Sequence, residues 1–228
     1  MKNYTFKRGF FQVFGLLLLA LGVSGVLIGG LGSGAVDSVS FGFNKLTNLF
    51  DQGTWNFIIN GVLVLILLIL TKKPKVLLSL IVLFLMTFFI NWGLDLFEWI
   101  FNITLMDTTT GISNNLFVDG QVFNAIWVSV VSLLSMALGV ALLIVYKGIL
   151  SPYDESVVFI DSKIKNYSIS KIIVDGFFML FGLVLGIING SPFEQIGIFS
   201  VITVIVLGPT INLFIKIFSK GENENGIE

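Results

Sequence analysis

The sequence predicts an all-α membrane protein: six transmembrane helices arranged as two inverted three-helix repeats, each with a short amphipathic or re-entrant helix after its first span. Three observations lead there. The 228 residues are 55% hydrophobic and only 12% charged, against about 25% charged residues in an ordinary soluble domain. Six apolar runs reach about 20 residues, the length needed to cross a hydrocarbon core about 30 Å thick. Polar features of the first half also recur about 117 positions later in the second.

The first span covers residues 10–30, preceded by Lys2, Lys7 and Arg8. Its apolar run is longer than the core of a signal peptide and no small-x-small cleavage site follows, so it is read as a helix. A polar break, Leu31-Gly-Ser-Gly-Ala-Val-Asp37, comes next. Val36, Val39, Phe43 and Leu46 then recur at helical spacing, the pattern of a segment that lies in the interface or folds back partway. The second span, residues 55–71, ends at the tight loop Lys72-Lys73-Pro74-Lys75, and the third covers residues 76–101. Residues 1–101 therefore form the first repeat, and a Thr- and Asn-rich extracytoplasmic connector follows at 102–120.

The second repeat, 121–218, has the same order. Its first span is 122–146, its break is Gly148-Ile-Leu-Ser-Pro-Tyr-Asp-Glu155, and Tyr153, Val157, Ile160 and Ile164 mark its amphipathic segment. Spans at 172–189 and 193–218 complete it, and 219–228 reads as an acidic cytoplasmic tail. Several pairs carry the repeat: Asp37 with Asp154, Asn60-Gly61 with Asp175-Gly176, Pro74 with Pro192, and Leu96-Phe97 with Leu213-Phe214. Three crossings per unit is an odd number, so the second unit must be inverted relative to the first, a design common in secondary transporters.

Basic residues orient the chain. With the N-terminus in the cytoplasm, Lys45 alone of the 13 lysines and arginines falls outside. This places both termini inside a bacterial inner membrane.

Composition also excludes functions. A net charge of −1 leaves no basic surface for nucleic acid. Without cysteine or histidine there is no thiolate nucleophile, disulfide, imidazole base or ordinary zinc site. No nucleophile and base pair is visible, so the expectation is a protein that is not an enzyme and carries no cofactor or metal.

Gly148 to Asp154, the Pro192-x-x-x-x-Gly197 segment and Gly208-Pro209 resemble the bacterial YczE/YyaS/YitT membrane proteins, whose repeats carry a Gly-x-Gly-x-Ser-Pro-x-Asp element and a late Gly-Pro. The first copy departs from the pattern, with Ala35 at the proline position and Asn91-Trp92 in place of Gly-Pro. The resemblance implies membrane placement and a repeat, not an activity.

The candidate substrate- or ion-binding residues are Asp175, Asp154, Asp37, Asn60, Asn212 and Ser151. Ser151 at an N-cap, Pro152 at N1 and Asp154 at N3 make a favourable helix start. The same residues at a helix start dipping into the membrane would form a polar site, and both readings stand. Asp175 lies one turn inside the fifth span. An ionised carboxylate facing lipid costs at least about 2.5 kcal/mol, so Asp175 either faces protein or water, or sits shallow enough to snorkel and pair with Lys171. Asn60 and Asn212 hold polar groups at mirrored depths, with Asp95 as the repeat partner of Asn212.

Gly182-x-x-x-Gly186-x-x-x-Gly190 and Gly25-x-x-x-Gly29 point to close helix packing or a homodimer seam. The function expected is a secondary transporter or permease for a small polar solute, working by alternating access, with protons as coupling ion. A non-transporting scaffold or regulator of a partner, and the substrate-binding subunit of an energised vitamin importer, are the alternatives.

Overall fold

A computed structural model describes residues 2–50, 52–103, 115–194 and 196–224. Among them are eight α-helices: α1 Lys2–Gly29, α2 Ala35–Thr47, α3 Gln52–Thr71, α4 Leu78–Phe101, α5 Val122–Val145, α6 Pro152–Ile164, α7 Tyr167–Ile188 and α8 Ile198–Glu224. A single 3-10 turn, Pro74–Leu77, leads into α4. All but α2 and α6 contain a stretch long and apolar enough to cross a membrane. The chain is an all-α bundle of six spans, with most of the 102–120 connector outside the described residues.

Several boundaries differ from expectation, two of them near the second polar break and the last span. α7 begins at Tyr167, five residues before the apolar run, because Asn166 caps it: its side-chain oxygen accepts the Ile169 amide. That extension draws Lys171 into the helix. α8 begins only at Ile198, since the residues around Pro192 form turns.

α1 and α5 form the centre, with half of each span buried against 17% to 33% in the other four. They run antiparallel, Gly15 meeting Gly139 and Gly29 meeting Ser129 at opposite ends of the seam. The Ser135 hydroxyl donates to the Leu18 carbonyl at 2.7 Å near its middle. Leu16, Ala20, Ala137, Val140 and Ala141 fill the core around this crossing. Large apolar side chains such as Ile69, Phe84, Phe88, Phe177 and Leu180 lie exposed on the outer helices, as a lipid-facing surface requires.

The glycine-lined faces are used inside this core. A Cβ at Gly25 would crowd the Ser132 side chain of α5, one at Gly182 would crowd Ser38 of α2, and one at Gly186 the backbone of Pro192. Small residues let helices of the same chain approach closely. Gly25, Gly182 and Gly186 thus contact elements of the same chain, while Gly190 is exposed with nothing within 4 Å of a Cβ there.

α2 and α6 are both 13 residues long. Their N-caps have the same extended backbone, φ −64°, ψ 159° at Gly34 and φ −62°, ψ 156° at Ser151. Both end on a left-handed residue, Asn48 and Lys165. The breaks before them are held differently. The first is pinned by the start of α8, with the Ser200 hydroxyl donating to the Ser33 carbonyl at 2.8 Å and the Phe199 amide to Leu31. The second is clamped by Gln12 of α1, which accepts from the Ile149 amide at 2.6 Å and donates to its carbonyl at 3.0 Å.

Candidate functional site

Ser151 caps α6 as its residue type requires: its hydroxyl oxygen accepts the Asp154 amide at 3.1 Å. The same hydroxyl donates to Asp154 Oδ2 at 2.7 Å, so cap and carboxylate are one unit. Asp154 points inward with 4% of its surface exposed. There it meets α7, which presents Tyr167, Lys171 and Asp175 at i, i+4 and i+8 along a single face.

Lys171 Nζ lies 3.1 Å from Asp175 Oδ1 and 3.7 Å from Asp154 Oδ1. It also sits 4.3 Å from the centroid of the Tyr153 ring, within cation–π range. The Tyr153 hydroxyl donates to Asp175 Oδ1. Burial, then the Asp175 carboxylate, pushes the Tyr153 phenol far up, which keeps this proton donor in its protonated form. Lys171 and Asp175 are each only 3% exposed. Lys171 therefore does not snorkel; it is a buried cation between two buried carboxylates.

Such a cluster needs a reason other than stability. Burying an ion pair costs several kcal/mol of desolvation per ion, and apolar replacements of similar size are often as stable or more so. Asp175 lies eight residues after Tyr167, about 12 Å along α7.

The first half has a quieter counterpart. Asp37, half-buried at the start of α2, accepts from Asn56 Nδ2 at 2.8 Å. Asn60, 4% exposed, donates to Asn56 Oδ1 at 2.7 Å. Burial pushes the Asp37 carboxyl above its usual range, against the Asn56 amide and the Gly34 backbone amide, which hold it down. Asn60 lies eight residues after Gln52, the same distance along α3 as Asp175 along α7.

The structure thus joins Ser151, Asp154 and Asp175 in one cluster and Asp37 and Asn60 in another. Asn212 belongs to neither. It lies half-buried one turn beyond Gly208, the residue whose missing Cβ lets α8 pass against the Lys171 stem. Sequence reasoning missed Lys171 and Tyr153 as site members, and Tyr167 and Asn56 altogether. One signal was present: the offset of 115 that pairs Asn60 with Asp175 also pairs Asn56 with Lys171.

Residues 6–216 match the family described as "Family of unknown function (DUF6198)". The chain is also similar to "Uncharacterized protein YyaS" of Bacillus subtilis (strain 168), with 28% identity over 207 residues, 90% of this chain and 91% of that protein. No solved structure matches it. The motifs at Gly148–Asp154 and Gly208-Pro209 and the match over nearly the whole chain agree, so the chain belongs to the DUF6198 family, within the YczE/YyaS/YitT group of bacterial membrane proteins.

Proposed function

We propose that this protein is a secondary transporter or permease for a small polar solute, with two inverted three-helix halves that alternate access to a polar centre and protons as the coupling ion. One observation carries the reading. Two polar clusters, the buried Asp154–Lys171–Asp175 and the half-buried Asp37–Asn56–Asn60, occupy corresponding positions in the two halves, each linking a short helix to the helix after it.

The α1–α5 seam supports the inversion. A Cβ on Gly22 would lie 2.7 Å from the Ser132 carbonyl oxygen and 2.8 Å from the Met136 amide nitrogen. One on Gly139 would lie 2.6 Å from the Gly15 carbonyl oxygen and 2.7 Å from the Leu19 amide nitrogen. Adding 117 to Gly15, Leu19 and Gly22 gives Ser132, Met136 and Gly139, so each contact is the other with the helices exchanged. Such self-complementary contacts are those of a two-fold axis. Between units of three spans each, that axis lies in the membrane plane, the symmetry that lets one mechanism face both sides in turn.

The test is ligand stabilisation of the purified protein followed by uptake into proteoliposomes. A bound solute raises the melting temperature by mass action, by about 2.7 kcal/mol of stability at 100 times its Kd. We expect a subset of small polar solutes to do so and the same subset to be taken up. Stabilisation without uptake of any solute in that subset would point to a binding role and sink the transport reading.

The asymmetry of basic residues supports an orientation with both termini in the cytoplasm. The chain lacks cysteine, so single cysteines report on sidedness. In intact cells, Val118→Cys, at an exposed position, should react with a membrane-impermeant maleimide. Ser162→Cys, exposed after the second break, should react only once the membrane is opened. The reverse pattern would invert the orientation.

A further inference from the structure

The two clusters differ in residue type but not in formal charge. In the second half Lys171 cancels one of two carboxylates; in the first, Asn56 and Asn60 are neutral and Asp37 stands alone. The geometry matches link by link. Asn56 Nδ2 reaches Asp37 Oδ1 at 2.8 Å where Lys171 Nζ faces Asp154 Oδ1 at 3.7 Å. Asn56 Oδ1 joins Asn60 at 2.7 Å where Lys171 Nζ joins Asp175 at 3.1 Å. The Lys171–Asp175 ion pair therefore stands in for an amide pair, and each half retains one uncompensated carboxylate, on its short helix.

The ligands around Asp154 are incomplete. Its Oδ2 takes the Ser151 hydroxyl, but Lys171 at 3.7 Å lies beyond hydrogen-bond length from Oδ1. Tyr167 is 6% exposed and its hydroxyl has no hydrogen-bond partner among the described residues. Asp154 Oδ1 has spare capacity, and Tyr167 carries an unsatisfied phenol oxygen one turn before Lys171 on the face of α7 that Asp154 meets, so the two supply oxygens for a cation.

We propose that Asp154, and Asp37 in the mirrored half, each bind one exchangeable small monovalent cation, a proton or an alkali ion, while Lys171–Asp175 is a permanent neutral strut. This deepens the transport reading by naming the coupling carboxylates and removing Asp175 from that role. The ionisable groups facing Asp154 are Tyr153, Glu155 and Asp161 on α6 and Tyr167, Lys171 and Asp175 on α7; Lys73 and Lys75 act on Glu155 from the 3-10 turn. Of the other helices that touch α6, α3 brings no ionisable side chain and α4 carries Asp95 and Glu98 in its C-terminal part.

The experiment measures the melting temperature of the purified full chain from pH 8 to pH 5 in a choline buffer, then with added NaCl or KCl at fixed pH. A cation bound by the folded state and not by the unfolded one raises stability by mass action, so bound protons show as stability gained as pH falls. The parent should melt higher as pH falls if the cation is a proton, or as salt is added if it is an alkali ion. Asp154→Asn should remove about half of that response and Asp37→Asn the other half, as expected for two equivalent sites. The double variant Lys171→Asn/Asp175→Asn, which copies the first half, should keep the full response.

A parent indifferent to protons, sodium and potassium would overturn the proposal. So would a double variant that folds but has lost the response. If the double variant does not fold, Asp37→Asn decides, because no ion pair exists in its half: an unchanged response there overturns the proposal. The readout is cation binding, not flux, so failure to find a transported solute leaves this result standing.

Discussion

Lys171→Met is expected to lower the stability of the protein by about 3 to 5 kcal/mol, the cost of leaving a buried charge without its partner. Methionine fills nearly the same volume, so the effect isolates the ammonium. Without it, Asp154 and Asp175 face each other at 4% and 3% exposure, and two carboxylates sharing a dry site cannot both stay ionised. For a chain of this size the loss corresponds to about 10 °C in melting temperature. The sign with pH is specific. Taking up one proton relieves the repulsion, so the variant should recover toward the parent as pH falls, whereas a variant harmed by lost packing would not. A fall of less than about 1 kcal/mol, the range of exposed ion pairs, would mean that Lys171 reaches water after all.

Gly139→Val should be among the most damaging apolar substitutions in the helices. Its Cβ would sit 2.6 Å from the Gly15 carbonyl oxygen and 2.7 Å from the Leu19 amide nitrogen. Both are backbone atoms of a helix that cannot rotate away, so α1 and α5 must separate along their whole seam. Overpacking costs about 1 to 3 kcal/mol where side chains can yield; with backbone on both sides we expect about 3 kcal/mol or more. Gly22→Val should match it, since Gly22 makes the mirrored contacts with Ser132 and Met136. Gly176→Ala is the control. Nothing lies within 4 Å of a Cβ there, and alanine is favoured over glycine inside a helix by about 1 kcal/mol. Thermal unfolding of the three variants in one detergent checks the ranking. Equal loss from Gly139→Val and Gly176→Ala would mean that glycine content, not the seam, governs stability.

Both expectations rest on contacts between elements distant in the chain. What the sequence determined by itself was local. Six apolar runs set the number of spans, because a bilayer leaves the backbone no alternative to closing its hydrogen bonds within each helix. Ser151-Pro152-Tyr153-Asp154 specified a capped helix start, and its hydrogen bonds formed as those residue types require. The offset of 117 pairs Gly34 with Ser151, and these begin two helices of equal length with the same extended backbone.

The tertiary structure decided which polar groups meet and how deep they lie. The spacing of Lys171 and Asp175 is the same for a snorkelling surface pair and for a buried one. It was Asp154 and Tyr153, arriving from α6, that turned the pair into a closed cluster. Likewise Gly25-x-x-x-Gly29 signals that a neighbour comes close but not whose helix it is, and the neighbour proved to be α5 of the same chain. Helix periodicity encodes which face of an element is small or polar; the partner on that face is fixed only when all the helices pack at once, since a close contact depends on the distance between two backbones.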